Sequence, residues 1–277
     1  MSQALIIGCG ELGSSIAIGL VQTGIKVIGV RLSNKPAPSG VQLIQADVTD
    51  IHSLNAIKNL TPNIVIYCVA ATAQTDENYQ AHYVQGLKNV LQSINNAQLQ
   101  HVFFVSSTRV YGQAEGDLLD ENNTAIPSDF GGERLIEAEN VLHAYSSRST
   151  VLRLSGIYGL GRLRMINLAK NIDNWPLTNT YSNRINRDDA ARFMVFLCGK
   201  VLKNESIADC YIVTDSAPVS QYEVLNWIAE QFQAPKKLAP TISGGKRLSN
   251  QRLLETGFSL QYPSYQQGYA AIIQSLA

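Results

Sequence analysis

Residues 4–17 read ALIIGCGELGSSIA, in which a short apolar run leads into the pattern G-x-G-x-x-G and then into an amphipathic helix pattern. Gly8 allows a tight turn after a strand, Gly10 lets a pyrophosphate approach the backbone, and Gly13 lets the helix pack closely on the sheet. The N–H groups and the positive dipole end of the following helix favour phosphate. A purely structural glycine turn is the alternative interpretation. The stretch predicts a dinucleotide-binding loop made of Gly8, Gly10, Glu11, Leu12 and Gly13.

The composition indicates a chain with a large buried interior. Of 277 residues, 45% are hydrophobic and 16% are charged, with 22 Lys plus Arg against 22 Asp plus Glu. Because the charges balance and no basic cluster stands out, a nucleic-acid partner is not expected. The apolar opening of about four residues is too short for a signal-peptide core or a membrane span. We therefore predict a cytoplasmic protein that binds small molecules and has no membrane partner.

The cysteines and histidines lie far apart along the sequence. No cysteine pair forms C-x-x-C, which favours buried thiols in a reducing compartment. The histidines show no metal-ligand spacing, so no metal site is expected. These residues are Cys9, Cys68, Cys198, Cys210, His52, His82, His101 and His143.

Apolar strand-like runs alternate with helical patterns through the first two thirds of the chain. Strands are predicted at residues 4–7, 26–30, 41–45, 64–69, 101–105 and 150–154. Helices are predicted at residues 13–22, 53–59, 78–95 and 131–145. Continuous rather than alternating apolar character is typical of parallel strands that are covered on both faces. The βα order predicts an α/β fold, a Rossmann-type doubly wound parallel sheet with right-handed crossovers.

The pattern loosens after residue 155. It predicts helices at residues 162–171, 188–199, 219–232 and 268–276, and a strand at residues 209–213. We predict a nucleotide-binding domain over residues 1–160, to which the strand near 209–213 returns. Residues 161–277 are predicted to form a smaller, interleaved lobe that binds substrate. Ligands of such folds lie outside the carboxyl ends of the strands.

Several short motifs follow one another in an order typical of one family. They are DVTD at 47–50, VAA at 69–71, YVQGLKNVL at 83–91, SSTRVYG at 106–112 and LRLSGIYGLGR at 152–162. Together with the opening loop they resemble the extended short-chain dehydrogenase/reductases, the group of nucleotide-sugar epimerases and dehydratases. The resemblance covers essentially the whole chain. It implies that residues 47–50 contact the adenine, that residues 69–71 form a small turn under the cofactor, and that residues 152–162 lie beside the nicotinamide. The cofactor-binding residues that it implies are Asp47, Val48, Val69, Ala70, Ala71 and Ser155.

The catalytic pair of that family, Tyr-x-x-x-Lys, is replaced here. Residues 128–139 read SDFGGERLIEAE, which places Phe130 at the tyrosine position and Arg134 at the lysine position. Phenylalanine has no ionisable proton. Arginine stays charged, so Arg134 is expected to hold a ribose or a phosphate without tuning a proton donor. The chain lacks the catalytic tyrosine and lysine, and in this it resembles an atypical subgroup of the family that keeps the cofactor loop and lacks the tyrosine. The tail also resembles that subgroup, with KRLSNQRLLETGF at 246–258 and YPSY at 262–265.

Two hydroxyl groups remain as catalytic candidates. Ser107 matches the family's catalytic Ser/Thr, which hydrogen-bonds the substrate oxygen; a strand-end serine that satisfies local backbone is the alternative. Tyr111 is a candidate substitute phenol, although the family has a structural tyrosine at this position. Arg162 and Arg184 are candidates for an anionic substrate group, with solvated surface arginines as the alternative.

The end of the second predicted strand bears on the form of the cofactor. NAD-binding members of such folds have an acidic residue there, which accepts hydrogen bonds from the ribose 2′-OH. Residues 30–35 instead read VRLSNK, and Arg31 with Ser33 could neutralise and hydrogen-bond a 2′-phosphate. NADP is therefore favoured over NAD, and an exposed basic loop is the alternative.

Two functions fit these observations. The first is an NAD(P)-dependent oxidoreductase or epimerase/dehydratase-like enzyme that acts on a small or nucleotide-sugar-type substrate with a non-standard proton donor. The second is a non-catalytic NAD(P)-binding protein that senses redox state or regulates. The helices at 78–95 and 131–145 are compatible with a homodimer, because related folds pair through them, but their sequence does not demand it.

Overall fold

The computed structural model describes residues 2–145 and 148–276, and the chain divides into two compact units. Unit 1 contains residues 1–112, 125–153 and 190–211, and unit 2 contains residues 113–124, 154–189 and 212–277. The helix predicted at 188–199 therefore falls largely in unit 1, and the segment 113–124 falls in unit 2. The two units therefore alternate along the chain.

The strands follow the predicted runs closely in unit 1, and several shorter strands were not predicted. In chain order they are β1 (Gln3–Ile7), β2 (Lys26–Arg31), β3 (Val41–Gln45), β4 (Ile64–Tyr67), β5 (His101–Ser107), β6 (Leu118–Leu119), β7 (Ser149–Leu154), β8 (Gly156–Tyr158), β9 (Tyr181–Ser182), β10 (Arg184–Asn186), β11 (Cys210–Val213), β12 (Val219–Ser220) and β13 (Arg247–Leu248).

The α-helices are α1 (Glu11–Gln22), α2 (Asp76–Tyr79), α3 (Gly86–Ser93), α4 (Phe130–His143), α5 (Arg164–Ala169), α6 (Arg187–Leu202), α7 (Gln221–Gln231), α8 (Gln251–Glu255) and α9 (Tyr265–Leu276). A π-helical segment, Gln80–Gln85, joins α2 to α3, and 3₁₀ turns lie at Ser53–Ile57, Thr108–Val110 and Ile172–Asn174. Within the described residues, no helix is long and apolar enough to cross a membrane.

The central sheet has seven strands in the order β11-β7-β5-β4-β1-β2-β3. Strands β1 to β5 pair in parallel, and Leu5 of β1 lies opposite both Ile28 of β2 and Val65 of β4. The strand order reverses between β1 and β4, and ligands of doubly wound sheets bind at such a switch point. The prediction of a Rossmann-type doubly wound sheet is confirmed.

Burial explains why the strand sequences of unit 1 are continuously apolar. Residues 4–7 of β1 are completely buried, because neighbouring strands cover both edges and helices pack on the sheet. Helix α1 buries Ile16, Ala17 and Leu20. Full burial of such an aliphatic side chain contributes about 1.5–3 kcal/mol.

Aromatic and aliphatic side chains together form the core of unit 2. Tyr158 stacks on Tyr269 with ring centroids 4.6 Å apart, and Trp175 meets Tyr222 edge-on at 5.5 Å. Three two-stranded pairs, β8–β10, β9–β12 and β6–β13, lie outside the central sheet. Each strand in them has only two or three residues, which is too short for hydrophobic periodicity to show in the sequence.

Two predicted helices differ in kind from those observed. The helix predicted at 53–59 is a 3₁₀ turn, and the helix predicted at 78–95 contains the π-helical segment between α2 and α3. Close packing accompanies the π-helical segment, since the Tyr67 hydroxyl donates to the His82 carbonyl and a Cβ on Gly86 would lie 2.5 Å from that hydroxyl. Segments of this kind are frequent at functional sites.

Candidate functional site

The glycine loop that follows β1 is held between the ends of β2 and β4. The Gly8 and Cys9 N–H groups donate to the Val30 carbonyl at 2.8 and 2.9 Å. Gly8 has φ +88°, and a Cβ there would lie 2.5 Å from the Cys68 carbonyl oxygen. A side chain at position 8 would therefore be strained and would collide with backbone.

The start of α1 is open toward the outside of this loop. A Cβ on Gly10 would have no neighbour nearer than 4.0 Å, whereas a Cβ on Gly13 would lie 2.5 Å from the Gly8 carbonyl oxygen. Gly10 is the N-cap residue of α1. Because glycine has no side chain, no side-chain hydrogen bond occupies the N–H groups at this end of the helix. The backbone N–H groups of the first turn are therefore placed to receive a phosphate. An open Gly10 and a tightly packed Gly13 fit a dinucleotide-phosphate cradle.

Arg31 and Ser33 lie in the loop that follows β2. The Arg31 Nε and Nη2 donate to the carbonyls of Ser33 and Pro36, each at 3.0 Å. Ser33 is exposed and Arg31 is half-buried. The guanidinium therefore organises the loop and keeps a positive charge at the carboxyl end of β2.

The predicted adenine motif forms a compact turn. Asp47 Oδ1 accepts from the Thr49 N–H at 2.9 Å and from the Thr49 hydroxyl at 2.7 Å. Val48 is buried, and its carbonyl accepts from Asn89 Nδ2 at 2.8 Å. The motif is thus held in place by its own hydrogen bonds and by α3.

Small residues follow β4 at the same edge of the sheet. Val69 and Ala71 are half-buried and Ala70 is exposed. The Ala71 N–H donates to the Tyr83 hydroxyl at 3.4 Å, so the π-helical segment supports this turn. Residues of this size leave room for a flat ligand above them.

Ser107 ends β5 and caps the following 3₁₀ turn. Its Oγ accepts from the Arg109 N–H at 3.2 Å, and the side chain is half-buried. This bond matches the structural alternative for Ser107, and it still leaves the hydroxyl proton able to donate to a substrate oxygen.

Phe130, at the family's tyrosine position, begins α4 and lies in an arginine-centred cluster. Its ring meets Tyr79 edge-on with centroids 5.4 Å apart, and the Arg109 guanidinium lies 5.2 Å from the ring centroid. Arg109 Nε donates to both Asp129 oxygens at 2.9 and 3.0 Å, and Nη1 donates to the Tyr79 hydroxyl at 2.7 Å. A Cβ on Gly131 would lie 2.4 Å from the Arg109 Cζ. The guanidinium thus packs against the first turn of α4.

Arg134, at the lysine position, is engaged by two carboxylates. Its Nε and Nη2 donate to the two Asp76 oxygens at 2.7 and 2.8 Å, and its Nη1 donates to Glu137 at 2.8 Å. The hydrogen bonds from Arg134 lower the pKa of Asp76. In this arrangement the positive charge ties α4 to α2, and two negative charges stand beside any anion that Arg134 would bind.

Tyr111 does not face solvent. Its side chain is completely buried, and its hydroxyl accepts from Arg153 Nη1 at 2.7 Å. The expectation that Tyr111 supplies a substitute phenol is therefore corrected, because a phenol enclosed beside Arg153 cannot reach a substrate without opening the core.

The predicted site residues of unit 2 lie in different surroundings from one another. Ser155 is buried and its hydroxyl donates to Thr214 Oγ1 at 3.0 Å, whereas Arg162 is exposed. Arg184 is only 5% exposed and lies 5.4 Å from the Tyr265 ring centroid. The interpretation of Arg184 as a solvated surface arginine is therefore wrong, because the residue is buried and packs against the Tyr265 ring.

The sequence does not single out Arg109, which lies at the centre of the cluster at Phe130. It occupies a variable position of SSTRVYG, where the motif gives no reason to single out its side chain. The replacement of the family tyrosine by Phe130 shows that this region departs from the family pattern, but it does not indicate which side chain packs on the ring. The partners Tyr79 and Asp129 are distant from it in sequence, so their contact with Arg109 is not readable from a motif.

Comparisons with known proteins show the family to which the chain belongs. Residues 4–175 match the model of the NAD dependent epimerase/dehydratase family. A solved structure from Methylobacillus flagellatus, described as an NAD-dependent epimerase/dehydratase, is 45% identical with a TM-score of 0.91, and the match covers 99% of this chain and 98% of that one. The UDP-glucose 4-epimerase of Thermus thermophilus, solved with NAD, is 18% identical with a TM-score of 0.77 over 98% of each chain, a likeness of fold alone.

A more partial similarity links the chain to Protein YeeZ of Escherichia coli strain K12. The two are 28% identical over 172 residues, which are 58% of this chain and 61% of that protein. The chain thus spans about three fifths of the length of this curated relative.

Proposed function

Because this chain belongs to the NAD-dependent epimerase/dehydratase family, we propose that it binds NADP or NAD on the loop of Gly8, Gly10 and Gly13 and acts on a small or nucleotide-sugar substrate. The observation that carries the proposal is the first turn of α1, which Gly10 leaves open and uncapped by a side chain. A bound nicotinamide would supply a hydride donor and acceptor. The residues that would hold the cofactor around this loop are Glu11, Leu12, Asp47, Val48, Val69, Ala70 and Ala71.

The chemistry assigned to the chain's own residues rests on Ser107. Its Oγ already accepts from the Arg109 N–H, so its hydroxyl proton can polarise a substrate oxygen. Phe130 cannot exchange a proton, and Tyr111 is enclosed. We assign proton donation to a non-standard group or to water, and the exposed Arg162 to an anionic part of the substrate.

The cofactor loop is tested by Gly10→Ala. The new Cβ has room within the protein, so the free energy of unfolding should change by less than about 1 kcal/mol. The methyl group would stand where a pyrophosphate approaches, so we expect NADP and NAD to bind at least roughly tenfold more weakly, or about 1.4 kcal/mol. Isothermal titration calorimetry measures this.

Gly199→Ala is the matched control, because Gly199 lies in α6 and a Cβ there meets nothing within 4 Å. It should leave cofactor affinity unchanged. Equal affinity in Gly10→Ala and wild type would contradict the proposed cradle. Failure of wild type to bind either cofactor at millimolar concentration would remove the proposal itself.

The preference for NADP is tested by Arg31→Ala. Loss of the charge at the end of β2 should weaken NADP binding by roughly tenfold or more, since hydrogen bonds to charged groups contribute about 1.5–3 kcal/mol. NAD has no 2′-phosphate, so its affinity should hardly change. Lys26→Ala removes the same charge from the opposite end of β2 and serves as the control. An unchanged ratio of NADP to NAD affinity in Arg31→Ala would argue for the exposed-loop interpretation.

Turnover is tested by mixing the protein, loaded with reduced or oxidised cofactor, with a panel of carbonyl compounds and nucleotide sugars. Hydride exchange between the cofactor and each compound is then measured. Wild type should exchange hydride with at least one member, and Ser107→Ala should slow that exchange while cofactor affinity stays the same. Cofactor binding without exchange across the panel would instead favour a redox-sensing or regulatory protein.

A further inference from the structure

Three buried polar atoms cluster in unit 2 without a hydrogen-bond partner. They are Arg184 Nη1, Asp215 Oδ2 and the Tyr158 hydroxyl, half of the six such side-chain atoms found among the described residues. The three residues are 5%, 1% and 4% exposed. Buried polar groups in folded proteins are nearly always bonded either to protein or to water. A concentration of unsatisfied atoms in one place therefore points to a bound molecule.

The backbone brings these residues together. Strands β8 and β10 are parallel, with Tyr158 opposite Asn186, two residues after Arg184. The Asp215 N–H donates to the Arg184 carbonyl at 2.7 Å. On the other side, Tyr158 stacks on Tyr269 and Arg184 lies against the Tyr265 ring, both rings belonging to α9. The cluster is thus enclosed by two strands, the segment after β11 and one helix.

The charges at the cluster are close but not in direct contact. Arg184 lowers the pKa of Asp215, although burial is the larger influence and raises it to about 7. No ion pair joins the two side chains in the described part of the chain, so the guanidinium nitrogens and the carboxyl oxygens are too far apart for a direct contact. Nearby acidic groups are engaged elsewhere: Asp189 of α6 accepts from the Gln261 N–H at 2.8 Å, and Glu223 of α7 accepts from the Tyr265 hydroxyl at 3.3 Å.

We propose that an ordered water molecule lies among these three side chains and bridges Arg184 Nη1, Asp215 Oδ2 and the Tyr158 hydroxyl. Water can accept from the guanidinium, donate to the carboxyl oxygen and bond the phenol at once, with the two to four partners that buried waters have. Two hydrogen bonds of about 2.8 Å span a gap too wide for direct contact. Arg184 disfavours a metal cation, and Asp215 disfavours an anion. A small neutral molecule that has both hydrogen-bond donor and acceptor groups therefore fits these buried side chains best.

A crystal structure of the whole chain at about 1.8 Å or better tests the inference. We expect a well-ordered water peak within about 3.2 Å of all three atoms. Direct hydrogen bonds among the three side chains, no density between them, or density for a larger ligand would each overturn it. This outcome is independent of the proposed function, since it does not require cofactor or turnover.

Tyr158→Phe removes one of the three partners, and Tyr269→Phe, in the ring stacked on it, is the matched control. In solution, oxygen-17 relaxation dispersion counts long-lived internal waters. We expect Tyr158→Phe to lose one such water and Tyr269→Phe to keep it. The same count in wild type, Tyr158→Phe and Tyr269→Phe would contradict a bridging role for the Tyr158 hydroxyl.

Discussion

Raising the pH from 4 to 7 is expected to lower the free energy of unfolding of the wild type by about 3 kcal/mol more than it lowers that of Asp215→Asn. Burial raises the pKa of Asp215 from 3.8 to about 7, with Arg184 acting in the opposite direction. A carboxyl group whose folded pKa exceeds its unfolded pKa binds its proton more tightly when folded. Its contribution to stability is therefore complete below pH 4 and is lost as the pH rises through 7. Asparagine has no proton to lose, so its contribution does not vary.

Urea unfolding at a series of pH values measures this difference. Both tryptophans, Trp175 and Trp227, lie in unit 2, so fluorescence follows the unit that contains Asp215. Burial lowers the pKa of His101 in unit 1 to about 4, which gives a loss of stability as the pH falls, but this contribution is the same in both proteins. Asp173→Asn, at an exposed aspartate of unit 2, should retain the wild-type pH dependence. Parallel profiles for wild type and Asp215→Asn would show that the group titrates normally.

Arg153→Met is expected to lower the free energy of unfolding by about 3–5 kcal/mol, because it leaves a buried carboxylate without its partner. Arg153 Nη2 and Nε donate to Glu139 at 2.6 and 3.2 Å, and Nη1 donates to Tyr111. Glu139 is 3% exposed and also accepts from the Ser106 hydroxyl at 2.6 Å. Methionine fills similar volume but offers no hydrogen bond. Thermal and urea unfolding followed by circular dichroism measure the change.

A double variant, Arg153→Met with Glu139→Gln, distinguishes two effects on stability. One is the loss of the Arg153–Glu139 ion pair, and the other is the burial of a Glu139 carboxylate without a cation. The double variant should be more stable than Arg153→Met alone, because the amide tolerates burial without a cation. Lys236→Met is the surface control, since its partner Glu230 is 57% exposed and such pairs contribute about 1 kcal/mol or less. If Arg153→Met lowers the free energy of unfolding as little as Lys236→Met does, the buried pair is not a stabilising contact.

The central sheet was predictable because burial on both faces imposes a continuous apolar sequence. Strands such as β1 and β4 stand out for that reason, and the spacing of Gly8, Gly10 and Gly13 indicates the turn between β1 and α1. The strands of two or three residues were not predictable. Their pairing depends on residues far apart in the chain, as when Leu118 of β6 meets Arg247 of β13.

The contacts of the candidate site residues were not predictable from the motifs. Ser107 is the last residue of β5, Phe130 is the first residue of α4, and Arg134 lies one turn further along α4. The side chains then take partners that lie on other elements, so that Arg134 is paired with Asp76 and Arg184 packs against a tyrosine ring of α9. A sequence pattern reports residue type and spacing, whereas burial of an arginine depends on which distant segments cover it.

The position of β11 has a consequence for synthesis on the ribosome. This edge strand of the central sheet spans Cys210–Val213, so about three quarters of the chain must emerge before it can pair with β7. Until then, β7 presents unpaired backbone groups to the cytosol of any expressing cell, and exposed strand edges attract other chains. Truncations that stop before Cys210 should therefore aggregate, and a nascent-chain chaperone should engage the protein during that interval.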